Sequence, residues 1–225
     1  SSFIKKEALE KDALNRYYSH APRIRLSAEQ IRDQALSICG VISNKMYGPS
    51  VMPFQPEGIW ASPYDGRKWV QSIGEEQYRR GLYTYWKRSS PYPSMINFDG
   101  GAREVCMSRR IKTNTPLQAL TLLNDSTYWD LSVKFAQRLM KKKNSDLPAQ
   151  IREGYALATG HEISESKLNV LKTLYTETLS KLNTGDKDLK KILSDSSANK
   201  KSASLASLAV VTNTILNLDE VITKN

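Results

Sequence analysis

The sequence predicts a mainly α-helical protein, bundle-like, with long irregular loops near its centre and little or no sheet. Apolar residues recur at helical spacing through most of the chain, whereas the strict alternation that is typical of half-buried strands is almost absent. Prolines and glycines concentrate between residues 47 and 102, where they break regular elements. We expect one domain, 1–225, with three parts: N-terminal helices (1–46), a loop-rich basic and aromatic region (47–114) and a C-terminal helical bundle (115–225).

Two helices are predicted in the N-terminal part. Residues 1–12 are typical of an amphipathic helical fragment. Ser27 and Gln30 have the spacing of a capping box, and an apolar stripe follows, so a helix is predicted over 27–46.

The central part is predicted to be mostly loop, interrupted by one helix. Residues 47–74 and 89–102 form the loops, and loops this long are often functional. The segment 75–88 begins with acidic residues and ends with basic ones, which matches a helix dipole and predicts a helix.

The C-terminal part opens with a strong helix start. Thr115 is a suitable N-cap, Pro116 suits the first helical position, and Gln118 can close a capping box, so a helix is predicted over 115–123. Asn124 and Asp125 then offer a new cap. Further helices are predicted at 128–143, 149–159, 164–183, 186–194 and 203–217.

The positive charge of the chain is concentrated in its central segment. The net charge is +10, and residues 67–112 hold ten basic and four acidic residues, a net of +6. Basic residues interleaved with aromatic ones suit polyanions or sugars, because charge attracts the ligand and flat rings stack on it.

This charge suggests an anion site beside the predicted helix start, whose free N–H groups favour anions. The alternative is structural, with the arginines pairing with nearby acids and pinning the loops to the helices. The candidate anion-binding residues are Arg79, Arg80, Arg88, Arg103, Arg109, Arg110, Lys112 and Thr115. The acids available for pairing are Glu75, Glu76, Asp99 and Glu104.

Three aromatic residues of the central loops are candidates for a sugar-binding platform. Trp60, Tyr64 and Trp69 lie among glycines and prolines rather than at helical spacing. The alternative is that their rings anchor the loop to the core.

The sequence predicts no catalytic residue, no metal site and no cofactor in this chain. Only two histidines occur, which makes a zinc site improbable, and no CxxCH motif exists to attach haem. Cys39 and Cys106 permit one disulfide at most and are expected to be buried thiols. The carboxylate pairs near the loops have no spacing that singles out a general acid and a base.

No apolar run approaches the roughly 20 residues that a membrane helix needs. No signal peptide is visible, and the missing initiator Met suggests a fragment of a longer protein.

Several long motifs of the chain resemble the family called domain of unknown function 1553. They are RLSAEQIRDQAL (25–36), GPSVMP (48–53), YRRGLYTYWKR (78–88), REVC (103–106), TNTPLQALTLLND (113–125) and ILNLDE (215–220). The resemblance runs from about residue 12 to the end. The segment EGIWASPYDGRKWVQS (57–72) and the tail after residue 140 look specific to this chain.

The resemblance implies a C-terminal domain of a large exported bacterial protein of planctomycete type, working in the periplasm or at the cell surface. Its expected partners are upstream domains of the same protein: a sister domain of unknown function and often a c-type cytochrome domain. Any haem would therefore belong to a neighbouring domain. The parent genes often accompany sulfatase-like and polysaccharide-degrading systems, and the family transfers no catalytic residues.

Three functional hypotheses follow. The first is a non-catalytic domain that binds or scaffolds, recognising anionic polysaccharide or a partner domain on its basic central face. The second is an enzyme acting on polysaccharide, with a site shared with upstream domains. The third is nucleic-acid binding, which a pI near 9.5 allows but no recognition motif supports.

Overall fold

The structure is a computed structural model, and it confirms a mainly α-helical fold. It describes residues 6–19, 24–59, 68–87, 90–101, 106, 108–142, 146–184 and 203–224. The helices, in chain order, are α1 (Lys6–Lys11), α2 (Ala28–Cys39), α3 (Pro93–Asn97), α4 (Pro116–Asn124), α5 (Ser126–Met140), α6 (Leu147–Thr159), α7 (Glu165–Asn183), α8 (Ala203–Leu216) and α9 (Asp219–Ile222).

Short elements complete the described part of the chain. Two 3₁₀ turns, Gly74–Tyr78 and Gly81–Tyr83, lie between α2 and α3. Strand β1 (Ile24–Arg25) pairs antiparallel with β2 (Thr223–Lys224). The last described residues therefore lie against the segment that leads into α2.

The predicted start of α2 is confirmed, but its predicted end is wrong. The Gln30 N–H donates to the Ser27 hydroxyl at 3.3 Å, and the Gln30 side chain accepts from the Ser27 N–H at 2.9 Å. The helix ends at Cys39 because Gly40 adopts a left-handed conformation, with φ 72°, and donates to the carbonyls of the last turn. The apolar residues beyond Gly40, up to residue 46, belong to an irregular segment.

The predicted helix over 75–88 is also wrong. Arg79 has extended backbone, with ψ 154°, and forms an isolated bridge with Ser43. Thr84 forms a second bridge, with Val51. The segment is held by pairing with residues more than thirty positions earlier, and this pairing overrides its local helical pattern.

The helices after residue 114 agree with the sequence pattern. The Thr115 N–H donates to the Gln118 side chain at 3.4 Å at the start of α4. The Asp125 carboxylate accepts from the Thr127 N–H at 2.8 Å and caps α5. Caps at Asp146 and Ser164 begin α6 and α7. The helix predicted at 186–194 lies outside the described residues.

Helix α8 is the centre of the core. It carries no charged residue, and it packs mainly against α5 and α7. Ala209, Val211 and Ile215 have no exposed surface. Its polar side chains are satisfied internally: the Thr212 hydroxyl donates to the Ser132 carbonyl at 2.8 Å, and the Asn213 amide donates to the Leu122 carbonyl at 3.2 Å.

The segment after α8 closes the fold against α2, α6 and α7. The Gln34 amide donates to the Val221 carbonyl at 2.9 Å. The Glu220 carboxylate accepts from the Lys167 ammonium and the Tyr155 hydroxyl. These contacts join residues that are far apart in the chain.

We expect Ile215→Ala to lower the free energy of unfolding by about 2–5 kcal/mol, because it leaves a cavity around α8 that its neighbours fill only partly. Urea unfolding followed by circular dichroism measures this. Val170→Ala is the control, because Val170 is 65% exposed on α7, and its effect should stay within about 0.5 kcal/mol. Equal effects for the two variants would show that α8 is not central to the core.

Glu220 should make stability depend on pH in the acid range. The Lys167 ammonium and then the Tyr155 hydroxyl hold the pKa of Glu220 below its ordinary value of 4.5, and His161 acts in the same direction. Stability from this group is therefore present above about pH 4.5 and is lost as the pH falls through the lowered pKa. We expect Glu220→Gln to destabilise the protein at neutral pH by less than about 1 kcal/mol, since the pair is half exposed. The urea midpoints of the two proteins should converge as the pH falls from about 4.5 through the lowered pKa of Glu220, and a pH-independent difference would contradict this.

Candidate binding surface

Two predicted anion-binding arginines lie on one acidic face of α2. Glu29 and Asp33 are four residues apart on that helix and therefore share a face. The Arg110 guanidinium donates to both carboxylate oxygens of Glu29, at 3.0 and 2.9 Å. Arg80 donates to Asp33 at 3.2 Å, and the Gly81 N–H donates to the same carboxylate at 2.6 Å.

The pKa of Glu29 reflects this pairing. Partial burial acts to raise it, but the hydrogen bond and charge of Arg110 prevail and hold the pKa below its ordinary value. The pair stays half exposed, with the Arg110 side chain 40% accessible. Its main consequence is to fix the segment before α4 onto α2.

The start of α4 is organised by a polar network. Gln118 is buried, and its side chain accepts from Arg25 at 2.6 Å and donates to the Thr113 hydroxyl at 3.2 Å. Asp99 accepts from the N–H and the hydroxyl of Thr113, at 2.8 and 2.7 Å. Lys112 donates to the Arg25 carbonyl. Lys112 and Thr115, both predicted anion-binding residues, thus lie at the edge of a network that orders this helix end.

Arg79 differs from the other arginines because it is completely buried. Its guanidinium donates to the carbonyls of Pro49, Lys45 and Tyr47, at 3.0, 3.2 and 2.5 Å. It also lies 3.7 Å from the centre of the Tyr83 ring. No surface of Arg79 is accessible to a ligand, so its geometry corresponds to the structural alternative and corrects its assignment to an anion site.

Of the three remaining predicted anion-binding arginines, the structure describes one. Arg109 is exposed beside Arg110. Arg88 and Arg103 lie outside the described residues, as does Glu104. The anion-site hypothesis therefore stays a prediction, and among the described residues Arg109 is the one whose position best suits it.

Of the three residues of the predicted aromatic platform, the structure describes only Trp69. Its indole N–H donates to the Pro53 carbonyl at 2.8 Å, and its ring stacks on buried Tyr92 at a centroid distance of 6.0 Å. This is the geometry of a loop anchor, and it corrects the platform assignment of Trp69. Trp60 and Tyr64 lie outside the described residues.

The two cysteines are free thiols and do not form a disulfide. Cys39 is buried on the core face of α2, and burial raises the pKa of its thiol. Cys106 is exposed, so the expectation that both thiols are buried is wrong for Cys106.

The acids near the loops are engaged in structural contacts. Glu75 accepts from the Ser43 hydroxyl at 2.5 Å, and Glu76 pairs with Lys45 at the same distance. Within the described ranges no group of three histidine, cysteine or acidic side chains could hold a metal ion. No described helix combines the length and apolar character needed to span a membrane.

The sequence reasoning missed the outer face of α4. Leu117, Leu120 and Leu123, which are 54%, 51% and 37% exposed, lie three residues apart on a helix without any charge. Leu122 on the opposite face is buried. Leucines on more than one side of PLQALTLLN were the available signal, because a helix with a single buried face needs only one apolar stripe.

Basic residues border this apolar face. Arg109, Arg110 and Lys112 directly precede α4, and Ile111 between them is 83% exposed. We call the three leucines, Ile111 and these three basic residues the α4 surface. Large exposed apolar residues bordered by polar ones mark interaction sites on soluble proteins.

These features define a mainly α-helical domain with an internally paired basic region and an exposed apolar helix face. Residues 1–175 match the family model described as a protein of unknown function (DUF1553), and the chain belongs to this family. The match begins at residue 1 rather than near residue 12, and it extends past residue 140 into α7. It ends before α8 and before the motif ILNLDE. No curated protein and no solved structure matches the chain.

We expect Arg79→Met to lower the free energy of unfolding by at least about 2 kcal/mol, because three carbonyls lose a charged donor at a buried position. Arg80→Met is the matched control on the adjacent residue. Its exposed ion pair with Asp33 should contribute no more than about 1 kcal/mol. Urea unfolding of both variants tests the assignment, and equal effects would contradict a structural role specific to Arg79.

Proposed function

We propose that this domain is a non-catalytic binding or scaffolding module that docks another protein domain on the α4 surface. The observation that carries this proposal is the row of exposed leucines on uncharged α4. Fully burying a leucine side chain contributes about 1.5–3 kcal/mol, so half-exposed leucines leave substantial free energy for association.

The charge around the leucines supports one kind of partner. Arg109 is exposed in the basic segment before α4, so a complementary partner presents an apolar centre with an acidic rim. A second copy of this chain fits less well, because a symmetric contact on α4 would bring two basic segments together. The partner in this proposal is therefore a different, acidic protein surface.

The expected partner is an upstream domain of the same exported polypeptide, as the family resemblance implies. In this proposal the domain works outside the cytoplasm and holds an upstream domain in place. Its internal arginine contacts support a rigid scaffold, since Arg79, Arg80 and Arg110 all fix irregular segments to the helical part.

Anionic polysaccharide is the second candidate ligand. The net charge of +6 over residues 67–112 and the exposure of Arg109 favour it. The contacts of Arg79, Arg80 and Arg110 weigh against it, because these side chains already have internal partners.

The test is a binding titration between this domain and the separately produced upstream region of its polypeptide. We expect wild-type binding, and a loss of at least about 100-fold in affinity for Leu120→Asp, since docking would bury an unpaired carboxylate. Val170→Asp is the control, because it places the same charge on an exposed residue of α7, and it should bind like wild type. Melting curves should show both variants folded.

A second arm uses a sulfated polysaccharide and its desulfated form across a salt series. Binding to the sulfated form at physiological salt, lost in Arg109→Ala and retained in Leu120→Asp, would replace the protein partner with the glycan. Equal, weak and steeply salt-dependent binding to both a sulfated polysaccharide and duplex DNA would indicate generic charge. Absence of any wild-type binding to the upstream region would contradict the proposal.

A further inference from the structure

The loop formed by residues 44–50 has a fixed shape although all of it lies at the surface. Two isolated bridges, Ser43 with Arg79 and Val51 with Thr84, join its two ends to the segment 79–84. All seven residues between them are exposed. Compact surface loops whose ends lie close together are frequently functional.

A buried arginine holds this loop from within. Arg79 donates to three of its carbonyls, and the Tyr83 ring covers the guanidinium. The Tyr83 hydroxyl in turn accepts from the Tyr47 N–H at 2.8 Å. Removing a guanidinium from water costs several kcal/mol before its contacts offset the loss.

The contacts of Arg79 do not serve the hydrophobic core, because no side chain from 44 to 50 is buried. What they stabilise is the shape of the loop. That shape includes two consecutive residues with positive φ, Tyr47 at 63° and Gly48 at 90°. A tyrosine rarely adopts this conformation, and such residues persist where the surroundings determine them and where function uses them.

The loop displays two large side chains that are suited to protein recognition. Tyr47 is 81% exposed and Met46 is 52% exposed. Tyrosine and methionine are enriched at protein interfaces, and a tyrosine on a rigid backbone loses little conformational entropy on binding. Lys45 next to them is paired with Glu76, so the tip of the loop presents mainly uncharged groups.

The loop and the α4 surface are connected through α2. The position of Gly81, in the segment that pairs with the loop, lies so close to the backbone of Glu29 that a Cβ there would be 3.0 Å from the Glu29 Cα. Glu29 also holds Arg110, which belongs to the α4 surface. One turn of α2 thus positions both regions.

We propose that loop 44–50 is a second, preformed contact for the protein domain that docks on the α4 surface, with Tyr47 as its main contact residue. This inference rests on the proposed function. Three half-exposed leucines fall short of the roughly 800 Å² per partner that a stable interface buries. A second rigid contact on the same partner would add to that area. The region of the partner that meets the loop is apolar and uncharged, unlike the acidic rim that meets Arg109 and Lys112.

The test compares Tyr47→Ala with Tyr18→Ala in titrations against the upstream region. Tyr18 is a matched control, because it is 88% exposed and also has a positive φ, of 52°, but no buried arginine in the described part of the chain holds it. We expect Tyr47→Ala to weaken binding by at least about tenfold, mostly through faster dissociation. Tyr18→Ala should change affinity less than about threefold.

The outcomes separate this inference from the proposed function. If Leu120→Asp abolishes binding and Tyr47→Ala leaves it unchanged, the loop contact is wrong and the α4 surface remains the proposed binding site. No wild-type binding overturns both. If wild type binds a soluble neutral polysaccharide, and Tyr47→Ala abolishes that binding without changing the protein titration, the loop binds a sugar instead of a protein.

Hydrogen exchange on the free domain tests the rigidity of the loop without any partner. The Tyr47 amide should be protected in wild type, through its bond to Tyr83, and should lose that protection in Arg79→Met. Arg80→Met should leave it unchanged. Exchange of the wild-type Tyr47 amide at the rate of an unstructured chain would overturn the idea of a preformed contact.

Discussion

The structure depends on the burial of α8. This helix has no charged residue, and its fully buried residues lie between α5 and α7. The family match ends at residue 175, so the matched part of the chain does not contain the helix at the centre of its own core. Without α8, the inward faces of α5 and α7 would meet water, at a cost of roughly 25 cal/mol for each Å² of apolar surface. The residues after 202 are therefore part of the fold rather than an appendage to it.

A second constraint is that arginines hold irregular segments in place through internal hydrogen bonds and ion pairs. Loop-rich segments expose many backbone carbonyls, and carbonyls removed from water need donors. Arg79 supplies donors to three of them, while Arg80 and Arg110 fix neighbouring segments to the acidic face of α2. A net charge of +6 in residues 67–112 is thus partly structural. This is why a count of basic residues alone overestimates the positive surface that remains for a ligand.

Local signals predicted the helices well, and long-range contacts explain the failures. The caps at Ser27, Thr115 and Asp125 act within one helical turn, so the local sequence was sufficient to predict them. The predicted helix over 75–88 failed because Arg79 is fixed by carbonyls some thirty residues earlier, which no local pattern records.

The candidate site was harder to predict than the fold. The sequence drew attention to the basic segment before α4, but it could not show that Arg110 was already paired with Glu29. Nor could it show which leucines of α4 a neighbour covers, because that depends on the packing of α5 and α8.

The α4 surface and loop 44–50 also differ in how they would act on a partner. Exposed charge near Arg109 accelerates association with a partner, and this effect weakens as the salt concentration rises. A tyrosine held on a rigid loop mainly slows dissociation. A partner that satisfies both must combine an acidic rim with an apolar area at a fixed separation. The buried Arg79 contributes to specificity in this view, since it sets the position of Tyr47 without touching the partner.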